Sequence, residues 1–299
     1  MAAPHTVVVA VNPTASFGHR REVGPQVIAR LRQAGHTVVD VGEANIELLR
    51  REATRAVAAG TSALVVVGGD GMVNLGVNIV AQTDVPLGIV PSGTGNDVAA
   101  GLGIPRDDTE AAIDRLLDAL DRPPRVIDAG IVRHGDLSTW FVGVLSAGFD
   151  ATVNERANVM TRPRGRSRYI LALLRELATL RPIPYEVNAD GTRLDTEALL
   201  ISVANNGALG GGMKIVPHAE LDDGMLDLFV VRPMSRFAFL RVFPKVFSGT
   251  HTELPVVSFH RLRTVTLDAP GVVAYADGER IGPLPVEVSV VPGALRVLA

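Results

Sequence analysis

The stretch Ala63-Leu64-Val65-Val66-Val67-Gly68-Gly69-Asp70-Gly71 sets an apolar run directly against a glycine-rich turn. The run, Ala63 to Val67, has no polar side chain and reads as a strand buried on both faces, as in a parallel sheet. A helical pattern opens at Met72, so the turn is a βα connection. Three glycines let backbone N–H groups approach an anion with no Cβ in the way, and the helix N-terminus adds a favourable dipole. Asp70 is the informative residue. A carboxylate beside a phosphate cradle is costly unless it holds a cation or takes a proton. The same residues also fit a plain turn with a capping Asp, and by themselves they leave both readings open.

Two further loops bear on that choice. Pro91-Ser92-Gly93-Thr94-Gly95-Asn96-Asp97 follows the strand-like run Leu87 to Val90 and again precedes a helical pattern. Asn12-Pro13-Thr14-Ala15-Ser16-Phe17-Gly18 follows the run Thr6 to Val11. Loops at the C-terminal ends of neighbouring parallel strands face one crevice, where open α/β sheets bind ligands. Any one of them is explained as a turn, but the three together favour a phosphate site. There is no G-x-x-x-x-G-K-[ST] sequence and no protein-kinase motif set, so neither a P-loop nor a protein kinase is indicated.

Around these loops the first part of the chain alternates strand and helix. Strand-like Thr37 to Val41 joins the three runs above, and helical patterns cover Val23 to Gln33, Ile46 to Ala59, Met72 to Gln82 and Asp108 to Leu120. This alternation predicts a mostly parallel sheet covered on both faces. The breaker Asp121-Arg122-Pro123-Pro124 ends it. Beyond it, short strand-like runs dominate: Arg125 to Ile131, Trp140 to Leu145, Tyr185 to Ala189, Ala198 to Asn205, Leu226 to Val231, Thr264 to Leu267, Val272 to Ala276 and Val286 to Val291. Only Ser167 to Leu180 and Ser235 to Phe247 read as helical. Such punctuation predicts an antiparallel sandwich or barrel, with the domain boundary near Arg125.

Composition narrows the function. The chain has 299 residues, 47% of them hydrophobic and 20% charged, enough for a core and too apolar for disorder. A net charge of −3 argues against a nucleic-acid partner. The absence of cysteine excludes disulfides, thiolate metal sites and Cys nucleophiles. No apolar run approaches the roughly 18 residues of a membrane span. Met1 to Asn12 lacks a basic leader before its valines, so a first strand is expected there and not a signal peptide.

In this order, Asn12-Pro13, Gly68 to Gly71, Pro91 to Asp97, Ser146-Ala147-Gly148-Phe149-Asp150, Gly210-Gly211-Gly212-Met213, Asp223-Gly224 and Ala276-Asp277-Gly278-Glu279 resemble the diacylglycerol kinase catalytic family. That family also holds sphingosine and ceramide kinases, and the likeness is greatest to its soluble bacterial members. The motifs span nearly the whole chain. The resemblance implies an N-terminal phosphofructokinase-like α/β domain over 1–124 and a C-terminal antiparallel β-sandwich over 125–283. Residues 284–299 would return to the first domain, with the active site in the interdomain cleft. It implies ATP held by Asn12, Pro13, Thr14, Ala15, Ser16, Gly69, Asp70, Gly71, Met72, Val73, Asn74, Leu75, Thr94, Asn96 and Asp97. Asp70, Asp97 and Asp128 would join a Mg²⁺ network at the phosphates. Glu220, Asp223 and Met225 would hold a structural Mg²⁺, partly through backbone carbonyls, and oxygen ligands from a tight Asp-Gly turn suit a hard cation.

The implied reaction is phosphoryl transfer from ATP to the hydroxyl of diacylglycerol. Glu279 or Asp70 would accept the hydroxyl proton, and without the other motifs Glu279 is only an exposed residue of an Asp-Gly hairpin. Two residues depart from the family pattern. Met72 replaces the usual Thr and has no hydroxyl for a phosphate, and Ser16 replaces a Gly of the first loop. Arg162, Arg164, Arg166 and Arg168 precede the apolar Tyr169 to Leu174, which suits docking on an anionic membrane as well as it suits a solvated loop before a core helix. The expectation is a cytoplasmic enzyme visiting the inner face of the membrane, with a homodimer left open. Its rivals are a kinase of another lipid, an NAD-kinase-like enzyme with a soluble substrate, and a catalytically silent lipid- or nucleotide-binding protein.

Overall fold

Four parallel strands, β1 (Thr6–Val11), β2 (Thr37–Gly42), β3 (Ala63–Gly68) and β4 (Leu87–Pro91), lie in the order β2-β1-β3-β4. Every residue of β3 is buried, because it has a parallel neighbour on each side and needs no polar face. β2 ends the row and is largely exposed. The computed structural model describes residues 4–12, 22–160, 162, 171–172, 175–176 and 180–299. These divide into two units, 1–129 with 293–299, and 130–292.

Helices α1 (Val23–Gln33), α2 (Ile46–Ala58), α3 (Asp70–Val80), α4 (Asp97–Gly101) and α5 (Thr109–Leu120) connect the strands of the first unit. Asn45 caps α2 by accepting from Glu47 N and Leu48 N, and Asp108 caps α5 by accepting from Ala111 N. α3 starts two residues earlier than its apolar periodicity indicates. Gly69 O accepts from Met72 N at 2.9 Å and from Val73 N at 3.2 Å, which draws Asp70-Gly71 into the first turn. The chain end joins this unit, with Val297 and Leu298 parallel to Leu87 and Gly88.

The second unit is a sandwich. One sheet holds β8 (Ile183–Ala189) between β10 (Thr196–Ala198) and β14 (Thr264–Asp268), with β14 paired to β17 (Val286–Leu298). The same sheet, of eleven strands with β1 to β4, also includes β5 (Arg125–His134), β6 (Leu137–Phe141) and β9 (Thr192–Arg193). The other sheet includes β7 (Val144–Gly148), β11 (Leu200–Ala204), β12 (Leu226–Val231), β13 (Val257–Leu262), β15 (Val273–Ala276) and β16 (Glu279–Pro283). It runs β13-β12-β11-β7-β15-β16, all antiparallel. Side chains of β12 alternate between two cores. Leu226, Leu228 and Val230 join the sandwich interior, while Phe229 and Val231 join a cluster on the opposite face that includes Phe149 and Phe239. The central strands β7, β11 and β12 are thus buried on both sides, which is why each has few polar residues.

The structure differs from the sequence expectations at several points. The units part between Ala129 and Gly130 and between Pro292 and Gly293, within β5 and β17. The first division falls a few residues past the boundary expected near Arg125, and of the expected 284–299, residues 293–299 group with the first unit. The run Trp140 to Leu145 is two strands, turned at Val142-Gly143, and Ala198 to Asn205 is likewise divided at Leu199. The helical pattern Ser235 to Phe247 breaks at Pro244 into Arg236–Val242 and Lys245–Ser248. Helix α6 (Phe149–Val159) follows β7 directly and has no sequence counterpart above. Most of Ser167 to Leu180 lies outside the described residues. No described helix is long and apolar enough to cross a membrane.

Candidate active site

The loops after β3 and β4 touch through their backbones. A β-carbon built on Gly93 would stand 2.3 Å from Gly69 Cα, and one on Gly69 would stand 3.0 Å from Gly93 Cα. Ser92 N donates to Gly68 O at 2.9 Å, so the pairing of the two strands continues into the loops. Asn96 fixes the second loop. It adopts the left-handed conformation that Asn tolerates, its Oδ1 accepts from Gly93 N at 3.0 Å, and its Nδ2 donates to Gly93 O at 3.1 Å. Gly71 and Thr94 are exposed at the loop tips, where a phosphate group can reach them.

Asp70 and Asp97 open α3 and α4. Asp70 Oδ1 accepts from Val98 N at 3.4 Å. Burial first, and then the neighbouring Asp97 charge, push the Asp70 carboxyl above its ordinary range, against backbone donors at Val98, Asp97 and Asn96 that favour the anion. Asp97 is buried. Two neighbouring carboxylates at the starts of two helices beside glycine loops are a donor set that suits a hard divalent cation. Ser92 adds a feature absent from the sequence reading, since its hydroxyl is buried with no hydrogen-bond partner among the described residues. Only the packing of the two loops reveals it.

The remaining expected nucleotide residues fall into three groups. Asn12 stands half-buried at the end of β1, whereas Pro13, Thr14, Ala15 and Ser16 lie outside the described residues. Met72, Val73, Asn74 and Leu75 are buried. Met72 packs so closely over Gly68 that a β-carbon there would lie 2.4 Å from Met72 Cγ. Its N–H is already bonded to Gly69 O, so Met72 offers a phosphate neither side chain nor amide and instead braces the loop from behind. Gly69, like Asp70, is half-buried at the loop.

The expected metal residues are dispersed. Among the described residues, no three His, Asp or Glu side chains stand together as a metal-holding group. Asp128 is buried on β5, and its Oδ1 accepts from Gly293 N at 2.8 Å. Asp223 is engaged twice, by Met225 N at 2.9 Å on Oδ1 and by the Arg261 guanidinium on Oδ2, while Glu220 is exposed. The implied cation at Glu220, Asp223 and Met225, held partly through backbone carbonyls, would share Asp223 with Arg261.

In the second unit, Asp277 and Gly278 form the two-residue turn between β15 and β16, both at positive φ, as a type I′ hairpin requires. The Asp277 carboxylate accepts from Val142 N, Gly143 N and Val144 N at 3.0, 2.9 and 3.0 Å. It thereby holds the turn that divides β6 from β7. Glu279 follows at the start of β16, exposed and without an ion pair among the described residues. The Ser146 to Asp150 motif is the joint of β7 and α6. A β-carbon on Gly148 would meet Leu200 Cα and Tyr185 Oη at 2.8 Å, and the Tyr185 hydroxyl donates to Ala147 O at 3.0 Å.

On the outer face of β11 and β12 an apolar cavity of about 70 Å³ is walled by Leu200, Ile215, Phe229, Val231 and the helix residues Phe239 and Phe243. Ser202 and His251 are the polar side chains of its lining. His251 Nε2 lies 2.8 Å from Ile215 O. A carbonyl only accepts, so Nε2 carries the proton, leaving Nδ1 buried and without a hydrogen-bond partner among the described residues.

Residues 6–129 match the diacylglycerol kinase catalytic domain, and residues 143–299 match the YegS C-terminal NAD kinase beta sandwich-like domain. A diacylglycerol kinase of Mycobacterium tuberculosis is 41% identical over 294 residues, an alignment spanning 98% of this chain and 94% of that protein. A diacylglycerol kinase of Bacillus subtilis is 29% identical over 289 residues, spanning 93% and 91%. Solved structures with the same fold include a diacylglycerol kinase from Bacillus anthracis, with a TM-score of 0.72, 19% identity and coverage of 98% and 96%. An NAD kinase from Archaeoglobus fulgidus in complex with ATP has a TM-score of 0.55, 10% identity and coverage of 98% and 93%.

Proposed function

Since the chain belongs to the diacylglycerol kinase family of phosphotransferases, we propose that it transfers the γ-phosphoryl group of ATP to the free hydroxyl of diacylglycerol, giving phosphatidic acid. The observation that carries the nucleotide half is the Gly69–Gly93 contact, which sets two loops and the start of α3 side by side as a backbone cradle for phosphate. Asp70 and Asp97 would hold Mg²⁺, which when bound neutralises charge on the transferring phosphates. The acceptor hydroxyl loses its proton to a carboxylate as its oxygen attacks the γ-phosphorus. The bond from the γ-phosphorus to the bridging oxygen breaks, and ADP leaves.

Glu279 is the proposed proton acceptor, because it is exposed and unpaired by any cation among the described residues. Its backbone is pinned through Asp277. One observation favours the exchanged roles. Burial and the Asp97 charge push the Asp70 carboxyl above its ordinary range, so it is a stronger base than an ordinary carboxylate, and Asp70 would then take the proton itself. The relatives named above as diacylglycerol kinases support a lipid acceptor. The enzyme would act as a cytoplasmic protein at the inner membrane face.

Labelled ATP with purified protein and a panel of diacylglycerol, sphingosine, ceramide, undecaprenol and NAD tests this reading. Label in phosphatidic acid is expected. Label in NAD alone would overturn the lipid assignment, and ATP binding without transfer to any acceptor would favour a silent binding protein.

A further inference from the structure

The segment between Asp227 and Glu253 contains no acidic residue, in a chain whose net charge is −3. It carries Arg232, Arg236, Arg241 and Lys245, all exposed. Arg236, Arg241 and Lys245 make no ion pair among the described residues, and Arg232 is turned onto Pro255 O. A protein that pairs so many of its other arginines with carboxylates, as Arg30 does with Glu110 and Asp114, leaves these cations uncompensated.

The same segment exposes large apolar side chains. Phe237 is 85% exposed, Leu240 43% and Phe247 40%. Phe237 and Leu240 are three residues apart on the helix Arg236–Val242 and so share one face. The opposite face carries Phe239, which is buried against Phe149 with ring centroids 5.1 Å apart. Phe239, Val242, Phe243 and Val246 line the apolar cavity. The segment therefore has an apolar inner side that closes a cavity and an outer side that mixes bare aromatic surface with unpaired cations. A helix facing only water has no use for an outward Phe, and a helix meeting an acidic protein has little use for one flanked so evenly by bare cations. Both features together match the interface of an anionic bilayer, where rings sit at headgroup depth and cations meet lipid phosphates.

We propose that the outer side of residues 232–248 is the surface by which this protein docks on an anionic phospholipid bilayer, with Phe237 and Leu240 inserted and Arg236, Arg241 and Lys245 on the headgroups. The proposal rests on the lipid-kinase reading only for its purpose, since docking is measured without catalysis. It places the membrane against the helix that walls the cavity. It also assigns docking to a segment other than the basic run expected from Arg162 to Arg168, of which Arg164, Arg166 and Arg168 lie outside the described residues.

The test is sedimentation of the full chain with sucrose-loaded vesicles of phosphatidylcholine alone or with 30% phosphatidylglycerol. Transfer to a soluble short-chain diacylglycerol is measured in parallel. Two variants are compared with wild type: the pair Phe237→Ser with Leu240→Ser, and the triple Arg236→Gln, Arg241→Gln and Lys245→Gln. Each should lower partition onto the anionic vesicles by roughly tenfold or more. Thermal midpoint and short-chain transfer should stay at the wild-type level, because all five side chains are exposed. Wild-type partition in both variants would overturn the proposal. So would a wild-type dimer that the variants split without change in vesicle binding, since the face would then cover a second copy. Docking that behaves as expected in a protein that phosphorylates no lipid would uphold the surface and overturn the kinase reading.

Discussion

Gly93 and Gly69 meet backbone to backbone, with 2.3 Å between Gly69 Cα and the place where a Gly93 Cβ would stand. No side chain can yield there, so Gly93→Ala must force the loops after β3 and β4 apart. The expected cost is about 2–3 kcal/mol of stability, at the upper end for overpacking. A fall in ATP affinity of roughly tenfold or more should accompany it, because the donors of the cradle lose their common spacing. Calorimetry of ATP binding beside thermal unfolding checks both. Unchanged values would mean that the two loops move independently and do not form one site.

Asp70 yields a prediction with a definite sign. Its folded-state carboxyl titrates above the ordinary range, through burial and the Asp97 charge. The folded protein therefore holds this proton more tightly than the unfolded chain. The resulting stabilisation is complete below about pH 4, the unfolded carboxylate value, and is lost as pH rises through the raised folded value. Asp70→Asn stays neutral throughout. Without nucleotide or divalent cation it should unfold at a higher temperature than wild type at pH 7.5, and the difference should vanish below about pH 4. Phosphoryl transfer should fall by roughly a hundredfold or more. A variant less stable than wild type at pH 7.5 would show that Asp70 serves the fold as a cap and is not held under charge strain.

Local pattern carried much of the fold. Helix α1 and strands β1 and β12 have the limits expected from periodicity, Val23–Gln33, Thr6–Val11 and Leu226–Val231, because the pattern that marks each is local to it. The losses occur where a distant residue decides. Trp140 to Leu145 reads as one strand until Asp277, more than 130 positions away, takes the N–H groups of Val142 to Val144. Within the site, Asp70, Asp97 and the glycines were legible as loop chemistry. The inward turn of Met72 onto Gly68 and the pairing of Asp223 with Arg261 were not, since both are set by packing between elements.

Asp277 and Glu279 are neighbours in one motif with opposite expected roles. Asp277 supplies acceptors to three backbone N–H groups, so Asp277→Ala should cost about 2–4 kcal/mol, or a fall of roughly 5–10 °C in thermal midpoint. Glu279 is exposed, so Glu279→Gln should leave the midpoint unchanged while kcat on diacylglycerol falls by roughly a hundredfold. Normal turnover by a well-folded Glu279→Gln protein would move the proton acceptor to Asp70. Loss of stability in Glu279→Gln would make the whole motif structural.

Arg261 stands where a cation would otherwise serve Asp223. Their ion pair, with Met225 N on the other carboxylate oxygen, satisfies the turn Asp222-Asp223-Gly224 without a metal. Chelation with EDTA should therefore leave the thermal midpoint of the wild-type protein unchanged, while removing turnover that needs Mg²⁺ for ATP. Arg261→Ala uncovers Asp223 beside the buried Asp227, whose charge burial already disfavours and whose attraction to Arg261 would go with it. Its midpoint should fall, and added Mg²⁺ or Ca²⁺ should restore part of the loss by taking the vacated oxygens, which prefer a hard cation. A wild-type midpoint that drops with EDTA and recovers with Mg²⁺ would instead mean that the cation displaces Arg261 in solution, as the set Glu220, Asp223 and Met225 implies.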